Sequence, residues 1–186
     1  MATSAAAPAV KPTQADQQPR DPLFTDTVRV IERFESLVYG LAVTHTPSRV
    51  DADDVYQNVF LTYHRKQPAC HDEEHIKAWL IRTTLNCARQ VTASPWRSRL
   101  VPLEGDPAAA TPDRFEFRTE QQQDILAALN KLSDIYRTVL HLFYFEDMPV
   151  RQIADLLDID PATVKMRLSR GRGMMRQQLQ GDHFNE

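Results

Sequence analysis

The sequence predicts an all-α chain of two small helical domains joined by a flexible linker. Three observations predict it. Apolar residues recur at helical spacing over several long stretches. The 186 residues hold only five glycines and few strand-like alternations. Four prolines interrupt residues 95–114, where no periodic pattern survives, as in an extended linker. A hydrophobic share of 42% and a charged share of 25% are ordinary for a soluble protein. No apolar run approaches the ~18–20 residues that span a bilayer. The first residues lack the cationic start and apolar core of a secretory signal. The two cysteines, Cys70 and Cys87, are too few for a disulfide scaffold and suit a reducing compartment, so a cytoplasmic location is expected.

Residues 1–20, rich in Ala, Pro and Gln, read as a disordered tail. The first domain is expected over 21–94. Its opening segment, from Asp21 to Thr46, carries Val30, Ile31, Phe34, Leu37, Val38 and Leu41 on an amphipathic pattern, and Thr46-Pro47-Ser48 breaks it. A second helix is expected over about 50–66 and a loop over 67–73. A third helix runs from about 73 to 93 and ends before Ser94-Pro95, because the residue before a proline avoids the α region. The linker covers 95–117 and the second domain 118–180, followed by a tail over 181–186. Within that domain one helix is expected over about 118–131 and another over 133–146.

The most telling stretch follows. Ile153, Ala154, Leu156 and Leu157 sit where a short helix could bury them, and Asp158-Ile159-Asp160 turns the chain with Ile159 as an apolar plug. The turn lacks the usual glycine, but aspartate also tolerates tight-turn backbone angles. Asp160 is a good N-cap, and Pro161 stands at the first helical position, where a missing N–H costs nothing. From 161 to 176 there are five cations (Lys165, Arg167, Arg170, Arg172 and Arg176) and no acid. The chain as a whole carries −3, so this helix contributes +5 and the remaining residues −8. A small cationic helix on an acidic protein points to localised contact with a polyanion. At ~100° per residue, Val164, Leu168, Gly171 and Met175 form a buried stripe. Ala162, Lys165, Met166, Ser169, Arg170 and Gly173 lie opposite, with Arg167 and Arg172 flanking. Helix, short turn and cationic helix make a helix-turn-helix, whose small and adaptable residues can approach base edges while arginines reach phosphates. Gly173, unlike Gly171, has no packing reason to be there. A solvated amphipathic helix end would carry similar charge.

In the second helix, Ala52, Val55, Val59 and Thr62 should pack inward, while Asp53, Asp54, Gln57, Leu61 and His64 face out. Acids in a first turn suit the helix dipole, which accounts for Asp51 and Asp53. It does not account for Leu61, with Phe60 beside it, near an outward polar face. A mixed polar and apolar strip of this kind marks a protein partner.

These segments carry a resemblance. Asp51-Ala52-Asp53-Asp54-Val55-Tyr56-Gln57-Asn58-Val59-Phe60 resembles the region 2 helix of bacterial sigma factors of the extracytoplasmic-function (ECF) group of the sigma-70 family. Lys77-Ala78-Trp79-Leu80-Ile81-Arg82, with Asn86 and Arg89, is similar to that family's next helix. Leu132 to Leu140 and Thr163 to Arg172 are similar to its region 4. The two motif sets stand in the family's order with a linker of suitable length between them. The chain departs from the family pattern at Thr84, Leu85 and Gln90.

The resemblance implies a region 2 three-helix bundle and a region 4 helix-turn-helix, with no enzymatic activity, no catalytic residues, no cofactor and no metal. It implies binding to core RNA polymerase, with Asp53, Asp54, Gln57, Asn58 and Leu61 docking on the clamp coiled coil of the largest subunit. It implies promoter contacts at the −10 element from Tyr63, His64, Arg65, Lys66, His71, Trp79, Arg82, Asn86 and Arg89. Trp79 fits a core position as well as a base platform. At the −35 element the implied contacts are Pro161, Ala162, Thr163, Lys165, Met166, Arg167, Ser169, Arg170, Arg172 and Arg176. Members of the group are often held by an anti-sigma factor covering both regions. Opening DNA requires unstacked bases to be held by aromatic faces and polar groups.

Two other function classes compete. One is a stand-alone helix-turn-helix regulator, which would bind a symmetric site by itself, usually as a dimer. The other is a small helical metal-dependent hydrolase using Asp51, Asp53 and Asp54, but no second carboxylate cluster or histidine motif accompanies them. Cys70, His71, His75 and Cys87 lack the paired short spacing of a zinc finger. Cys87 falls with Ile76 and Leu80 on the apolar side and reads as a buried thiol.

Overall fold

The computed structural model describes residues 26–93 and 120–182, and every element among them is a helix. The expected tail over 1–20 and the expected linker over 95–117 lie outside the described residues.

Three long helices form the N-terminal unit. Helix α1 spans Thr27–His45. It starts at Asp26, whose side chain accepts the Val28 N–H at 2.9 Å. Helix α2 spans Arg49–Lys66. Its cap is reciprocal: Ser48 Oγ accepts the Asp51 N–H at 3.2 Å and donates to Asp51 Oδ2 at 2.7 Å. Gln67 ends α2 in the left-handed region (φ 42°), its N–H bonded to the Tyr63 carbonyl at 2.8 Å. Helix α3 spans Glu73–Ala93. All three pack on one another. Val30, Phe34, Val38 and Leu41 from α1 meet Val55, Val59 and Tyr63 from α2 and Ile76, Leu80 and Ile81 from α3.

Four shorter helices form the C-terminal unit: α4 over Glu120–Asn130, α5 over Asp134–Tyr144, α6 over Val150–Leu157 and α7 over Pro161–Asp182. Helix α7 runs two residues past the expected domain end at 180. Its stripe is as the periodicity predicts: Val164, Leu168 and Gly171 are buried, and Met175 is half-buried. Gly171 has a packing reason. A Cβ there would lie 2.9 Å from Leu140 Cδ1, so the missing side chain lets α7 lie close on α5. The turn between α6 and α7 uses Asp158 in the left-handed region (φ 53°), with its N–H bonded to the Ala154 carbonyl. The aspartate therefore does the work expected of a glycine.

The two units touch. Helix α1 packs against α4 and α5. Arg137 of α5 donates to the Thr44 carbonyl at 3.1 Å while its other nitrogen holds the Asn130 and Leu132 carbonyls at 2.9 and 2.6 Å.

Candidate nucleic-acid interface

Helix α7 presents a continuous outward surface. Pro161, Ala162, Lys165, Met166, Ser169, Arg170, Arg172, Gly173 and Arg176 are exposed, and Thr163 and Arg167 are half-buried at its edges. Among the described residues no ion pair engages Lys165 or Arg170. The N-terminal end of a helix carries a partial positive charge, which adds to the attraction for anions. Base-sized access, small side chains and arms of positive charge occur together here, as a major-groove reader requires.

On α2 the outward strip is Asp54, Gln57, Asn58 and Leu61, all exposed, with Leu61 at 49%. Asp53 is half-buried beneath it, and its carboxylate accepts the Tyr39 hydroxyl. Burial, and then this carboxylate, push the Tyr39 phenol above its ordinary pKa. Phe60 is not part of the strip. It is buried, edge-on to Tyr56 at 5.0 Å.

The third group divides. His64, Arg65, Lys66, His71, Arg82, Asn86 and Arg89 are exposed. Tyr63 is not available to a base: it is fully buried, its ring edge-on to Trp79 at 5.6 Å. Its place at i+4 from Val59 puts it on the inward stripe, so it belongs to the core rather than the −10 set. Trp79 is half-buried, with one edge on Tyr63. Asn86 Oδ1 accepts from Arg89 at 3.3 Å. Thr84 and Leu85, the departures from the family pattern, are both buried in the bundle.

Arg82 points into the C-terminal unit. Its Nε donates to the Leu156 carbonyl at 3.1 Å and its Nη2 to the Asp155 carbonyl at 3.5 Å. Sequence reasoning missed this junction and the residues that build it: Lys77, Arg137, His45, His141 and Glu146. It also missed an apolar cleft of about 760 Å³ between α4, α5 and α7, walled by Ile125, Leu129, Leu140, Tyr144, Phe145, Met175 and Leu179 and rimmed by Arg172 and Arg176. Tyr144 and Phe145, half exposed at the end of α5, were the available signal.

No three His, Cys, Asp or Glu side chains gather as a metal set among the described residues. Both cysteines are free, and burial raises the pKa of the Cys87 thiol. His75 is engaged by Asp72, Nδ1 to Oδ2 at 2.8 Å. Among the described residues no helix is long and apolar enough to cross a membrane.

Comparison with known proteins matches both units. Residues 30–97 match the family profile "Sigma-70 region 2", and residues 122–175 match "Sigma-70, region 4". The RNA polymerase sigma-E factor of Streptomyces antibioticus is 30% identical over 138 residues, 72% of this chain and 73% of that protein. The ECF RNA polymerase sigma-E factor of Haemophilus influenzae is 24% identical over 163 residues, 81% of this chain and 86% of that one. The "Probable RNA polymerase sigma factor RfaY" of Xanthomonas campestris pv. campestris is 27% identical over 81% of this chain, which spans only 40% of its length. Among solved structures, the sigma factor RpoE of Bartonella quintana, bound to the anti-sigma factor NepR, superposes with a TM-score of 0.64. The identity is 20%, over 84% of this chain and 98% of that one. That likeness is one of fold.

Proposed function

This chain belongs to the extracytoplasmic-function group of the sigma-70 family of RNA polymerase sigma factors, and on that premise we propose how its surfaces divide the work. It is not an enzyme. The N-terminal unit is region 2 and the C-terminal unit region 4. The outward strip of α2 (Asp53, Asp54, Gln57, Asn58 and Leu61) docks on the clamp coiled coil of the largest polymerase subunit. The exposed side chains His64, Arg65, Lys66, His71, Arg82, Asn86 and Arg89, with the free edge of Trp79, take the −10 element as its bases unstack. Helix α7 enters the major groove at the −35 element. Its inner arginines sort with base edges and its flanking ones with phosphates. The work is done in the cytoplasm, and an anti-sigma factor is a partner this reading admits.

One observation carries the reading. Two separate profile matches of the same family fall in order on one chain, and the second ends on a helix with four exposed cations, Lys165, Arg170, Arg172 and Arg176. A stand-alone regulator would not need the α2 strip, and a hydrolase would leave the basic face of α7 without a use.

The test is in vitro transcription with purified core polymerase and start-site mapping across genomic DNA. Transcripts that begin at a defined set of sites only when this chain is present are expected. Transcripts that begin where core polymerase alone begins them would sink the reading. Replacing Gln57 and Leu61 together by alanine should weaken binding to core polymerase and leave region 4 folded. Unchanged affinity, read by fluorescence anisotropy, would remove the α2 strip from the interface.

A further inference from the structure

Helix α3 begins on a pair of side chains that fixes more than the helix. The Asp72 carbonyl accepts the Ile76 N–H at 3.2 Å and its Oδ1 accepts the His75 N–H at 2.8 Å, so Asp72 caps the helix. The other carboxylate oxygen, Oδ2, lies 2.8 Å from His75 Nδ1. The backbone bond from His75 holds the Asp72 carboxyl below its ordinary pKa. An ionised carboxylate accepts hydrogen bonds and has none to donate. In the neutral ring the proton therefore sits on Nδ1, and Nε2 is left as a bare acceptor. The side chain is exposed, and among the described residues no hydrogen bond engages that nitrogen.

The acceptor stands on the side proposed to meet the promoter. His75, Trp79, Arg82, Asn86 and Arg89 recur at steps of four and three residues, which places them in one line along α3. The last four are assigned above to the −10 element, and His75 carries their line into the first turn. His71, of the same set, sets its ring perpendicular to that of His75, with centroids 6.0 Å and planes 88° apart. A flat base lying against one of these rings can meet the other with its edge. The neighbouring acid is drawn aside, because Arg33 Nη2 holds Glu73 Oε1 at 2.7 Å.

We propose that His75 is a specificity-determining residue of the −10 face: its Nε2 accepts a hydrogen bond from the exocyclic amino group of an unstacked adenine or cytosine, and Asp72 is the positioning residue that fixes the tautomer. At the same place guanine and thymine carry a carbonyl oxygen, which would set acceptor against acceptor. This rests on the −10 assignment made above, but the tautomer can be tested without polymerase. Asp72→Asn is the informative change. Asparagine caps a helix as well as aspartate does. With its amide oxygen taken by the His75 N–H, its NH2 group faces the ring and donates to Nδ1. The ring proton then moves to Nε2, and the acceptor becomes a donor.

Two measurements on the full chain at pH 8.0 test this. Long-range proton–nitrogen correlation spectra should show Nδ1 protonated and Nε2 bare in the parent, and the reverse in Asp72→Asn. In vitro transcription with core polymerase from promoters randomised over the −10 element should show one position where adenine or cytosine is favoured about three- to tenfold over guanine or thymine, the worth of one hydrogen bond. His75→Ala should flatten that position alone, and Asp72→Asn should turn it towards guanine or thymine. A merely structural role would lower transcription from every promoter alike, and that result overturns the proposal. So does a His75→Ala library identical to the parent's, or a parent ring protonated at Nε2. If the parent redirects start sites and His75→Ala changes no preference, this proposal alone falls. If the parent redirects none, the sigma-factor reading falls with it.

Discussion

Region 2 and region 4 solve the problem of presenting a DNA-binding face in opposite ways. In region 4 the proposed face is one side of one helix. Val164, Leu168 and Gly171 hold α7 from behind, and Lys165, Met166, Ser169 and Arg170 in front are exposed. In region 2 the proposed face is shared among the end of α2, the loop after it and α3. Two of its expected aromatic contributors, Tyr63 and Trp79, are wholly or partly spent on holding the bundle together. Its Arg82 is taken by the other unit. The lesson is that a reading face carried on a single helix needs little from the rest of the molecule, whereas a composite one competes with packing for the same side chains.

The largest effect tests whether the two units are separate folding entities. Leu168→Ala should cost region 4 about 2–5 kcal/mol, as buried leucine truncations do, and Leu80→Ala should do the same to region 2. Thermal denaturation should then show two transitions, only one of them lowered in each variant. A single transition lowered equally by both would mean one cooperative unit.

Next comes acidity at the seam. His45 is buried, and desolvation, with His141, Arg137 and Arg89 nearby, lowers its pKa from 6.5 to about 3, so the folded chain keeps it neutral. Asp134 Oδ1, 3.9 Å from His45 Nδ1, and Thr138 Oγ1, 3.5 Å from its Nε2, face the same ring. The unfolded chain takes up the proton first. The contribution is therefore complete above pH 6.5 and is lost as pH falls from there towards 3, with a slope of at most about 1.4 kcal/mol per pH unit. Urea unfolding between pH 7.5 and 4.5 should show the decline, and His45→Gln should flatten it.

On the free face of α7, Arg170→Ala should weaken promoter use by about 1–3 kcal/mol and relax the choice at one −35 position, as loss of a base-contacting arginine does. An unchanged −35 preference in a promoter library would take Arg170 off the reading face. The smallest effect separates the two glycines of the same helix. A Cβ at Gly173 would meet nothing within 4 Å, so Gly173→Ala should gain up to about 1 kcal/mol of stability. At Gly171 the 2.9 Å approach to Leu140 Cδ1 should cancel that gain or reverse it. Chemical denaturation of the pair decides both.

Much of this was legible in the residues because it is local. The stripe of α7 and the break at Thr46-Pro47-Ser48 follow from local spacing. Asp158 could be read as a turn residue for the same reason. Tyr63 was misplaced because its chemistry suits a base while its register suits the core, and register prevails when a large ring can be buried. The seam was not legible. Arg137 meets the Thr44 carbonyl across 93 positions and Lys77 meets Glu146 across 69. Each is a single charged residue on a surface rich in them, and a lone charge has no periodicity to betray its partner.

Helix α7 has one more consequence. Its 22 residues make a rod about 33 Å long, at 1.5 Å per residue. The front half carries most of the side chains proposed to meet DNA, and residues of the rear half, Arg172, Met175, Arg176 and Leu179, line the apolar cleft. Whatever lodges in that hollow would lean on the same beam that carries the proposed reading face at its tip. Gly171 and Gly173 sit at the midpoint, where a push from behind is either transmitted or absorbed.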